Sequence, residues 1–310
     1  MRAVATDTYG GPEVLRLQDL PDPKVGPDAV LVRVAAASIN PVDYKIVEGA
    51  LDGAFPVVFP LVPGWDVAGE VVAVGPAVRH VQVGQDVVGY ARLDHVGHGT
   101  WADLVAVPAR GIAPAPASLD AVGASCLPLA GLTAWQSLVE VLEVAPGETV
   151  LVHAASGGVG HLAVQIAVAR GARVLGTASE RNHDFLRGLG AEPLAYGDGL
   201  VDAVRELAPD GVDAVLDLAG GQALEQTPAL LRVPGRAVSV VDPAVADQGG
   251  TYVFVRPDVA QLRELTALVD SDRLRPAVQS THPLEQVRAA VEEARAGVRG
   301  KVVLTVGGGH

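Results

Sequence analysis

A glycine-rich turn between a predicted strand and a predicted helix is the stretch of the sequence best suited to hold a ligand. The strand covers Thr149–Ala154, the turn Ala155–Gly160 and the helix His161–Ala169. A helix that opens on such a turn presents backbone N–H groups and the positive end of its dipole to an anion. The turn has the spacing of the dinucleotide fingerprint, with alanine in place of its first glycine. It predicts a pyrophosphate site formed by Ser156, Gly157, Gly158, Val159 and Gly160.

The residues about 20 positions after these glycines indicate which dinucleotide binds. An acidic side chain there would accept a hydrogen bond from the ribose 2′-OH of NAD. This chain has Ser179 at that place and Arg181 two residues later. A hydroxyl and a guanidinium suit a 2′-phosphate, because both donate hydrogen bonds and the guanidinium adds positive charge. Glu180 lies between them and is expected to face away from the ribose, so the pattern favours NADPH over NADH.

Strands and helices alternate on both sides of the turn, as in a parallel sheet covered by helices. The predicted strands after Thr149–Ala154 are Arg173–Thr177, Val212–Asp217, Arg236–Val240 and Thr251–Val255. The predicted helices between them are His161–Ala169, Arg181–Gly188 and Gln222–Leu231. This alternation predicts an α/β fold with a doubly wound parallel sheet.

Short strands separated by glycine and proline turns dominate the chain before Ser118. One helix is predicted among them, over Val42–Gly49 with Pro41 at its start. This texture predicts a β-rich, barrel-like domain. The last predicted strand, Lys301–Val306, is expected to return to that domain. The predicted domains are therefore residues 1–120 with 272–310, and residues 121–271.

The composition of the 310-residue chain excludes several classes of protein. Its formal net charge of −13 argues against non-specific nucleic-acid binding, which relies on basic surfaces. Glycine, proline or charge interrupts every long apolar stretch, and no signal profile is recognisable, so we expect a soluble cytoplasmic protein that does not bind membranes. A single cysteine, Cys126, allows no intrachain disulfide and no cysteine cluster for a metal.

Six segments carry a resemblance to a known family. They are NPVDYK (Asn40–Lys45), PGWDVAGEV (Pro63–Val71), GTWADLVAVP (Gly99–Pro108), LPLAGLTAWQSL (Leu127–Leu138), AASGGVG (Ala154–Gly160) and GKVVL (Gly300–Leu304). In these segments the chain resembles the zinc-independent branch of the medium-chain dehydrogenase/reductase superfamily, the quinone oxidoreductases related to zeta-crystallin. The resemblance implies a GroES-like barrel domain, a Rossmann-type domain and a nicotinamide cofactor held in the cleft between them.

Zinc is not expected in this chain. In the resemblance, the alcohol-oxidising relatives use cysteine and histidine ligands, where this sequence has Ser38-Ile39-Asn40 and Gly64-Trp65-Asp66. Neither segment supplies a thiolate or an imidazole for a tetrahedral zinc site. Without a metal to stabilise an alkoxide, a conjugated carbonyl is the better acceptor, because the charge that arrives with hydride is delocalised onto oxygen.

The resemblance also implies further cofactor residues. It places Thr133 beside the nicotinamide and Tyr196 near the 2′-phosphate. Lys301, in the closing GKVVL, is counted with them. The loops after two sheet strands are expected to border the carboxamide through Ala219, Gly220, Val240 and Val241.

Asn40, Tyr44 and Lys45 are the candidate catalytic residues, because they lie where the metal-using relatives keep a zinc ligand. Asn40 would donate to the oxyanion or hold the nicotinamide ribose, Lys45 would donate to a carbonyl or the ribose, and Tyr44 would deliver a proton. Each has a structural alternative: a turn residue before Pro41 for Asn40, a core side chain for Tyr44 and a solvated surface residue for Lys45. Proton delivery from solvent also stays open.

These observations predict an NADPH-dependent reductase of a conjugated carbonyl, either a quinone or an enone. One alternative is a biosynthetic enoyl reductase that acts on a carrier-bound or CoA-bound chain. Another, from a different class, is a non-catalytic nucleotide-binding protein with a structural or regulatory role. Strand Thr251–Val255 is apolar and is expected at the edge of the sheet, which predicts a homodimer that covers it.

Overall fold

The structure is a computed structural model that describes residues 1–307. Contacts within the chain divide it into two compact units. The first unit comprises Met1–Leu129, Arg256–Ser271 and the chain from Pro276 onward. The second unit comprises Ala130–Val255 and Asp272–Arg275.

The N-terminal part of the chain consists of short strands with two helices. Its elements are β1 (Arg2–Ala5), β2 (Arg16–Asp19), β3 (Ala29–Ser38), α1 (Pro41–Val47), β4 (Val57–Val62), β5 (Asp66–Val74), β6 (Asp86–Tyr90), β7 (Val96–His98), β8 (Leu104–Pro108), β9 (Ile112–Pro114) and α2 (Ala121–Ala124).

Strands and helices alternate through the middle of the chain. The elements are α3 (Pro128–Trp135), β10 (Thr149–Val152), α4 (Gly160–Ala169), β11 (Arg173–Thr177), α5 (His183–Gly188), β12 (Ala191–Leu194), α6 (Leu200–Leu207), β13 (Ala214–Asp217), α7 (Gln222–Leu230), β14 (Ala237–Ser239) and β15 (Thr251–Tyr252). The remaining elements are α8 (Val259–Asp270), β16 (Val278–Pro283), α9 (Val287–Arg295) and β17 (Lys301–Thr305).

The first unit is built around a sheet of seven strands. Their order is β16-β17-β3-β5-β6-β9, and β8 pairs with β3. The pairs are antiparallel except β16 with β17. In β3 the apolar residues alternate with more exposed ones, so Val30, Val32 and Val34 pack into the core. The return of β17 to this sheet places Lys301, near the C-terminus, at the end of β3.

Strand ends in this sheet bring three polar residues together. Ser38 is the last residue of β3, Asp66 is the first of β5 and Lys301 is the first of β17. Both neighbours run antiparallel to β3, so the end of β3 lies beside the starts of the other two strands.

The second unit is built around a sheet of six parallel strands in the order β12-β11-β10-β13-β14-β15. From β10 the chain first proceeds outward through β11 and β12, and then returns to the other side of β10 with β13. The strand order therefore reverses between β10 and β13. In open α/β sheets, ligands bind outside the carboxyl ends of the strands at such a reversal.

The structure differs from the sequence prediction at several elements. β12, α6 and β16 were not predicted, and β15 ends at Tyr252 instead of Val255. Helix α3 ends at Trp135 and continues as a π-helical turn over Gln136–Val141. Helix α8 belongs to the first unit, where it packs beside β9, whereas the predicted boundary at residue 271 places it in the nucleotide domain.

Within residues 1–307, none of the helices combines the length and the apolar character that a membrane span requires.

Candidate functional site

The glycine-rich turn of the second unit links β10 to α4 in a tight geometry. Ala154 has a φ of +48°, and the N–H of Gly157 donates to the Ala154 carbonyl at 3.0 Å. A Cβ on Gly160 would lie 2.4 Å from the Ala154 carbonyl oxygen and 2.7 Å from the Ala155 Cα. Only glycine therefore fits at position 160 without displacing the backbone. The turn leaves Gly158 and Val159 half-buried at the start of the helix.

A polar group lies next to this turn, at the carboxyl end of β11. Asn182 donates from Nδ2 to the Ser156 hydroxyl at 3.1 Å and to the Ser179 hydroxyl at 3.3 Å. Asn182 thus joins the predicted pyrophosphate turn to the predicted ribose position. The sequence analysis did not name it, although an amide three residues after Ser179 is a signal that was available.

Arg181 and Tyr196 are both exposed near the same strand ends. Arg181 has no carboxylate partner among the described residues, so its guanidinium is available to an anion. Tyr196 follows β12 and is 68 % exposed, so it is not a core residue. Thr133, on α3, is buried with 3 % of its surface exposed.

The loops after β13 and β14 are held by one buried carboxylate. Asp217, at the end of β13, accepts from the N–H groups of Ala219 at 2.9 Å and Gly220 at 2.8 Å through Oδ1. Its Oδ2 accepts from the hydroxyl of Ser239, at the end of β14, at 2.7 Å. Ala219 and Val241 are exposed, and Val240 is half-buried. The structure thus joins the two loops that the sequence analysis assigned to the carboxamide.

His153 follows β10 and is fully buried. Its Nδ1 lies 3.4 Å from the Thr177 hydroxyl, and its Nε2 has no hydrogen-bond partner within residues 1–307. Burial lowers the pKa of this imidazole, and the nearby Asp217 carboxylate opposes that shift.

A second polar cluster lies in the first unit around Asp66, which is fully buried. Asp66 Oδ2 accepts from the Ser38 hydroxyl at 2.7 Å and from Asn40 Nδ2 at 2.8 Å, and Oδ1 accepts from the backbone N–H of Leu129 at 2.7 Å. The Lys301 ammonium lies 3.6 Å from Asp66 Oδ2 and donates to Asn40 Oδ1. We call these four side chains, Ser38, Asn40, Asp66 and Lys301, the Asp66 cluster.

Both polar ends of the Asn40 side chain are used inside the Asp66 cluster. Asn40 is 2 % exposed and Lys301 is 3 % exposed. Asn40 is also the N-cap residue of α1, where its N–H donates to Asp43 Oδ2 at 2.7 Å. The structure therefore brings Asn40 and Lys301 together, and it ties both to the helix that carries Tyr44 and Lys45.

Asp43 is fully buried on the first turn of α1. Burial raises its pKa to about 7, although the hydrogen bond from Asn40 and the charge of Lys301 oppose the shift. Its Oδ1 has no hydrogen-bond partner in the part of the chain that the structure describes. The sequence analysis did not identify Asp43 or Asp66 as functional candidates.

Tyr44 is half-buried on α1, and Lys45 is exposed. The Arg295 guanidinium of α9 lies 5.8 Å from the centre of the Tyr44 ring and pairs with Glu48 at 2.9 Å. Burial raises the pKa of Tyr44, so the phenol keeps its proton at neutral pH. It can therefore act as a proton donor.

Among residues 1–307, no group of three or more His, Cys, Asp or Glu side chains is arranged to hold a metal ion.

The chain is similar to known proteins in its family-model matches, in its whole sequence and in its fold. Residues 26–117 match the family model described as "Alcohol dehydrogenase GroES-like domain", and residues 189–304 match the one described as "Zinc-binding dehydrogenase". The chain is 31 % identical to a "Chloroplast envelope quinone oxidoreductase homolog" of Arabidopsis thaliana, over 98 % of both chains. It is 34 % identical to the "NADPH-dependent alkenal/one oxidoreductase, chloroplastic" of the same plant, over 94 % of this chain and 75 % of the relative.

The fold also matches solved structures over nearly its whole length. The quinone oxidoreductase from Coxiella burnetii superposes with a TM-score of 0.86 at 35 % identity, and the match covers 99 % of each chain. These matches confirm the predicted pairing of a GroES-like barrel domain with a Rossmann-type sheet. They show that the chain belongs to the quinone oxidoreductase family of the medium-chain dehydrogenase/reductase superfamily.

Proposed function

We propose that this chain is an NADPH-dependent, metal-free oxidoreductase that transfers a hydride to a conjugated carbonyl compound, either a quinone or an α,β-unsaturated ketone. Membership of the family makes it an oxidoreductase of the quinone oxidoreductase type, with a nicotinamide cofactor. The observation that supports a metal-free reaction with a conjugated carbonyl is the Asp66 cluster. This cluster lies where the resemblance puts the zinc ligands of alcohol-oxidising relatives.

The Asp66 cluster does not fit a zinc ion. It offers one carboxylate, and both oxygens of that carboxylate already accept hydrogen bonds. The positive charge beside the carboxylate is the Lys301 ammonium, which would repel a metal cation. Zinc in proteins prefers thiolate and imidazole ligands, and the cluster contains neither. We infer that the Lys301 ammonium, and not a metal ion, compensates the negative charge of Asp66.

The polar group beside the glycine turn supports NADPH as the cofactor. Ser156, Ser179 and Asn182 form one hydrogen-bonded group, and the exposed Arg181 lies on the same segment. Hydroxyl and amide donors with a guanidinium suit a phosphate dianion. A free 2′-hydroxyl would need an acidic side chain as its acceptor. The acidic residue on this segment is Glu180, whose side chain is exposed and which we expect to face away from the ribose.

Bound NADPH would supply a hydride, which leaves the acceptor as an enolate or a hydroquinone monoanion that takes up one proton. The glycine turn would bind the pyrophosphate through backbone N–H groups. The Tyr44 phenol, protonated at neutral pH, is the side chain we propose as the proton donor. Lys45 is exposed on the next position and would donate a hydrogen bond to the acceptor oxygen.

Asn40 and Lys301 are better described as positioning residues. The polar atoms of Asn40 are occupied by Asp66 and Lys301, so a direct hydrogen bond to an acceptor would need the cluster to open. Through its N-cap contact with Asp43, Asn40 instead fixes the start of α1 and thereby the position of Tyr44.

The direct test is NADPH oxidation, measured at 340 nm, with three acceptor classes: 1,4-quinones, alkenones and enoyl-CoA thioesters. We expect turnover with a quinone or an alkenone. Turnover of thioesters alone would replace the proposal with the biosynthetic enoyl reductase. Tight NADPH binding without turnover of any of the three would instead favour the non-catalytic alternative.

We also propose that the chain forms a homodimer through β15. This strand is the last in the six-stranded sheet, and Tyr252 on it is 37 % exposed. An edge strand with free backbone groups can pair with a second copy. Light scattering on the purified protein should give twice the chain mass of 31.7 kDa, and a monomer at micromolar concentration would contradict the proposal.

A further inference from the structure

Four buried polar side chains form a row across the carboxyl ends of four neighbouring strands of the six-stranded sheet. Thr177 ends β11, His153 follows β10, Asp217 ends β13 and Ser239 ends β14. These strands are adjacent in the sheet. All four residues have at most 2 % of their surface exposed. Strands that are buried on both faces consist mostly of apolar residues. A row of four buried polar side chains at their ends is therefore unusual and indicates a specific role.

Asp217 and Ser239 act as a connected pair within this row. The Asp217 carboxylate takes three hydrogen bonds, two from the loop after its own strand and one from Ser239. The Ser239 oxygen in turn accepts from the N–H groups of Val241 at 3.3 Å and Asp242 at 3.0 Å. The two side chains thus join the loop after β13 to the loop after β14.

The two joined loops also lie close together. A Cβ on Gly220 would lie 3.4 Å from Cγ2 of Val241. Gly220 and Gly221 have φ values of +70° and +54°, so the backbone of the first loop is in a conformation that favours glycine. Asp217 bonds to the N–H of Gly220 and stabilises that conformation.

Nothing else in the row neutralises the Asp217 charge. His153 lies close enough to interact with Asp217 electrostatically, but its Nε2 makes no hydrogen bond to it. Because burial lowers the pKa of His153, the imidazole is neutral at neutral pH. The carboxylate is therefore held by two backbone N–H groups and one hydroxyl. Removal of a carboxylate from water costs free energy that these three neutral donors offset only in part. This cost favours a functional reason for the position of Asp217.

We propose that Asp217 and Ser239 are positioning residues for the nicotinamide end of the cofactor site: together they fix the two loops that receive the nicotinamide. This inference rests on the proposed function, since it takes the loops at the strand-order reversal between β10 and β13 as the place of the nicotinamide. It adds two buried residues that do not touch the cofactor and act through the backbone of Ala219, Gly220 and Val241.

The two ends of the dinucleotide are expected to depend on different residues. The hydrogen bonds of Asp217 and Ser239 lie on β13 and β14, whereas the polar group of Ser156, Ser179 and Asn182 lies on the β10 and β11 side. Loss of the Ser239 hydroxyl should loosen the nicotinamide end and leave the adenosine end unchanged. A fragment without nicotinamide, adenosine 2′,5′-bisphosphate, probes the adenosine end alone.

The experiment compares the Kd of NADPH with that of adenosine 2′,5′-bisphosphate by titration calorimetry, in wild type and in Ser239→Ala. We expect the Kd of NADPH to rise about five- to tenfold, because binding must then order the loops that the lost hydrogen bond had held, at about the worth of one ordinary hydrogen bond. The Kd of the bisphosphate should stay within about twofold of wild type. Asp217→Asn, which keeps the volume of the side chain, is the second variant if Ser239→Ala does not yield folded protein.

Thr227→Val is the matched control. Thr227 is 1 % exposed in the same unit, and its hydroxyl bonds to the Ala223 carbonyl within α7. It should lose thermal stability as Ser239→Ala does, with no change in either Kd. Equal weakening of both ligands in Ser239→Ala, or no weakening of either, would overturn the inference while the proposed function stands. If wild type binds neither ligand, the proposed function fails and the inference fails with it.

Discussion

Replacement of Lys301 by methionine should destabilise the first unit by about 3 kcal/mol. Lys301 and Asp66 are 3 % and 0 % exposed, and their charged atoms lie 3.6 Å apart. At an effective dielectric constant of about 20, two unit charges at this distance attract by about 4 to 5 kcal/mol. Removal of one partner from a buried pair typically costs about 3 to 5 kcal/mol. Asp66 keeps three neutral donors, so the lower end is expected.

Denaturant unfolding followed by far-UV circular dichroism measures this free energy, provided the m-value is unchanged. Lys24→Met is the matched control, since Lys24 is exposed in the same unit and its loss should change stability by less than about 0.5 kcal/mol. The double variant Lys301→Met with Asp66→Asn should regain part of the loss, because the uncompensated charge is then gone. A cost for Lys301→Met equal to that of Lys24→Met, or no recovery in the double variant, would refute the charge-balance argument for the Asp66 cluster.

Four further predictions follow from the same structure. Arg181→Ala should lower the preference for NADPH over NADH about tenfold or more, whereas Arg187→Ala, an exposed arginine paired with Asp184, should not. The pKa of Asp43 is about 7 in the fold and about 4 in the unfolded chain, so stability falls between those pH values, because the carboxyl of the unfolded chain ionises while the buried carboxyl keeps its proton. The melting temperature of Asp43→Asn should therefore rise relative to wild type from pH 5 to pH 8, and a constant difference would refute the buried ionisation. Gly160→Ala should cost about 2 kcal/mol or more and weaken NADPH binding, because its Cβ would lie 2.4 Å from a backbone oxygen; wild-type stability and affinity would refute this. Tyr44→Phe should lower kcat about a hundredfold with unchanged Kd for NADPH if the phenol donates the proton, and an unchanged kcat would assign that step to solvent.

Local patterns were sufficient to predict five of the six strands of the parallel sheet. The turn at Ala155–Gly160 was recognisable because a strand, the glycines and a helix follow one another within about 20 residues. The elements that were missed lack such a pattern. β16, with the sequence VQSTHP, has no alternation of apolar and polar residues, and β12, AEPL, contains a proline. For α6, the helical spacing of the buried Leu200 and Val204 is a signal that the sequence does contain.

The Asp66 cluster could not be predicted in the same way. Its members are separated by 26 residues between Asn40 and Asp66 and by 261 between Asn40 and Lys301. Only the antiparallel pairing of β17 and β5 with β3 brings them together. The sequence could show that thiolate and imidazole are missing at these positions, but not that a lysine from the last strand takes part. The sequence likewise placed Asp217 at the end of a predicted strand. The hydrogen bonds that Asp217 accepts from Ala219 and Gly220 depend on the conformation of the following loop, which the sequence does not show.

We infer that hydride transfer to a conjugated carbonyl proceeds here without a metal, in a site whose charge is balanced by Lys301. The most direct measurement is the rate of NADPH oxidation with a quinone or alkenone acceptor before and after exhaustive chelation, together with the zinc content of the same samples. We expect an unchanged rate, with at most about one-tenth of an equivalent of zinc bound to the protein. Stoichiometric zinc, with activity lost on chelation and restored by added zinc, would contradict it.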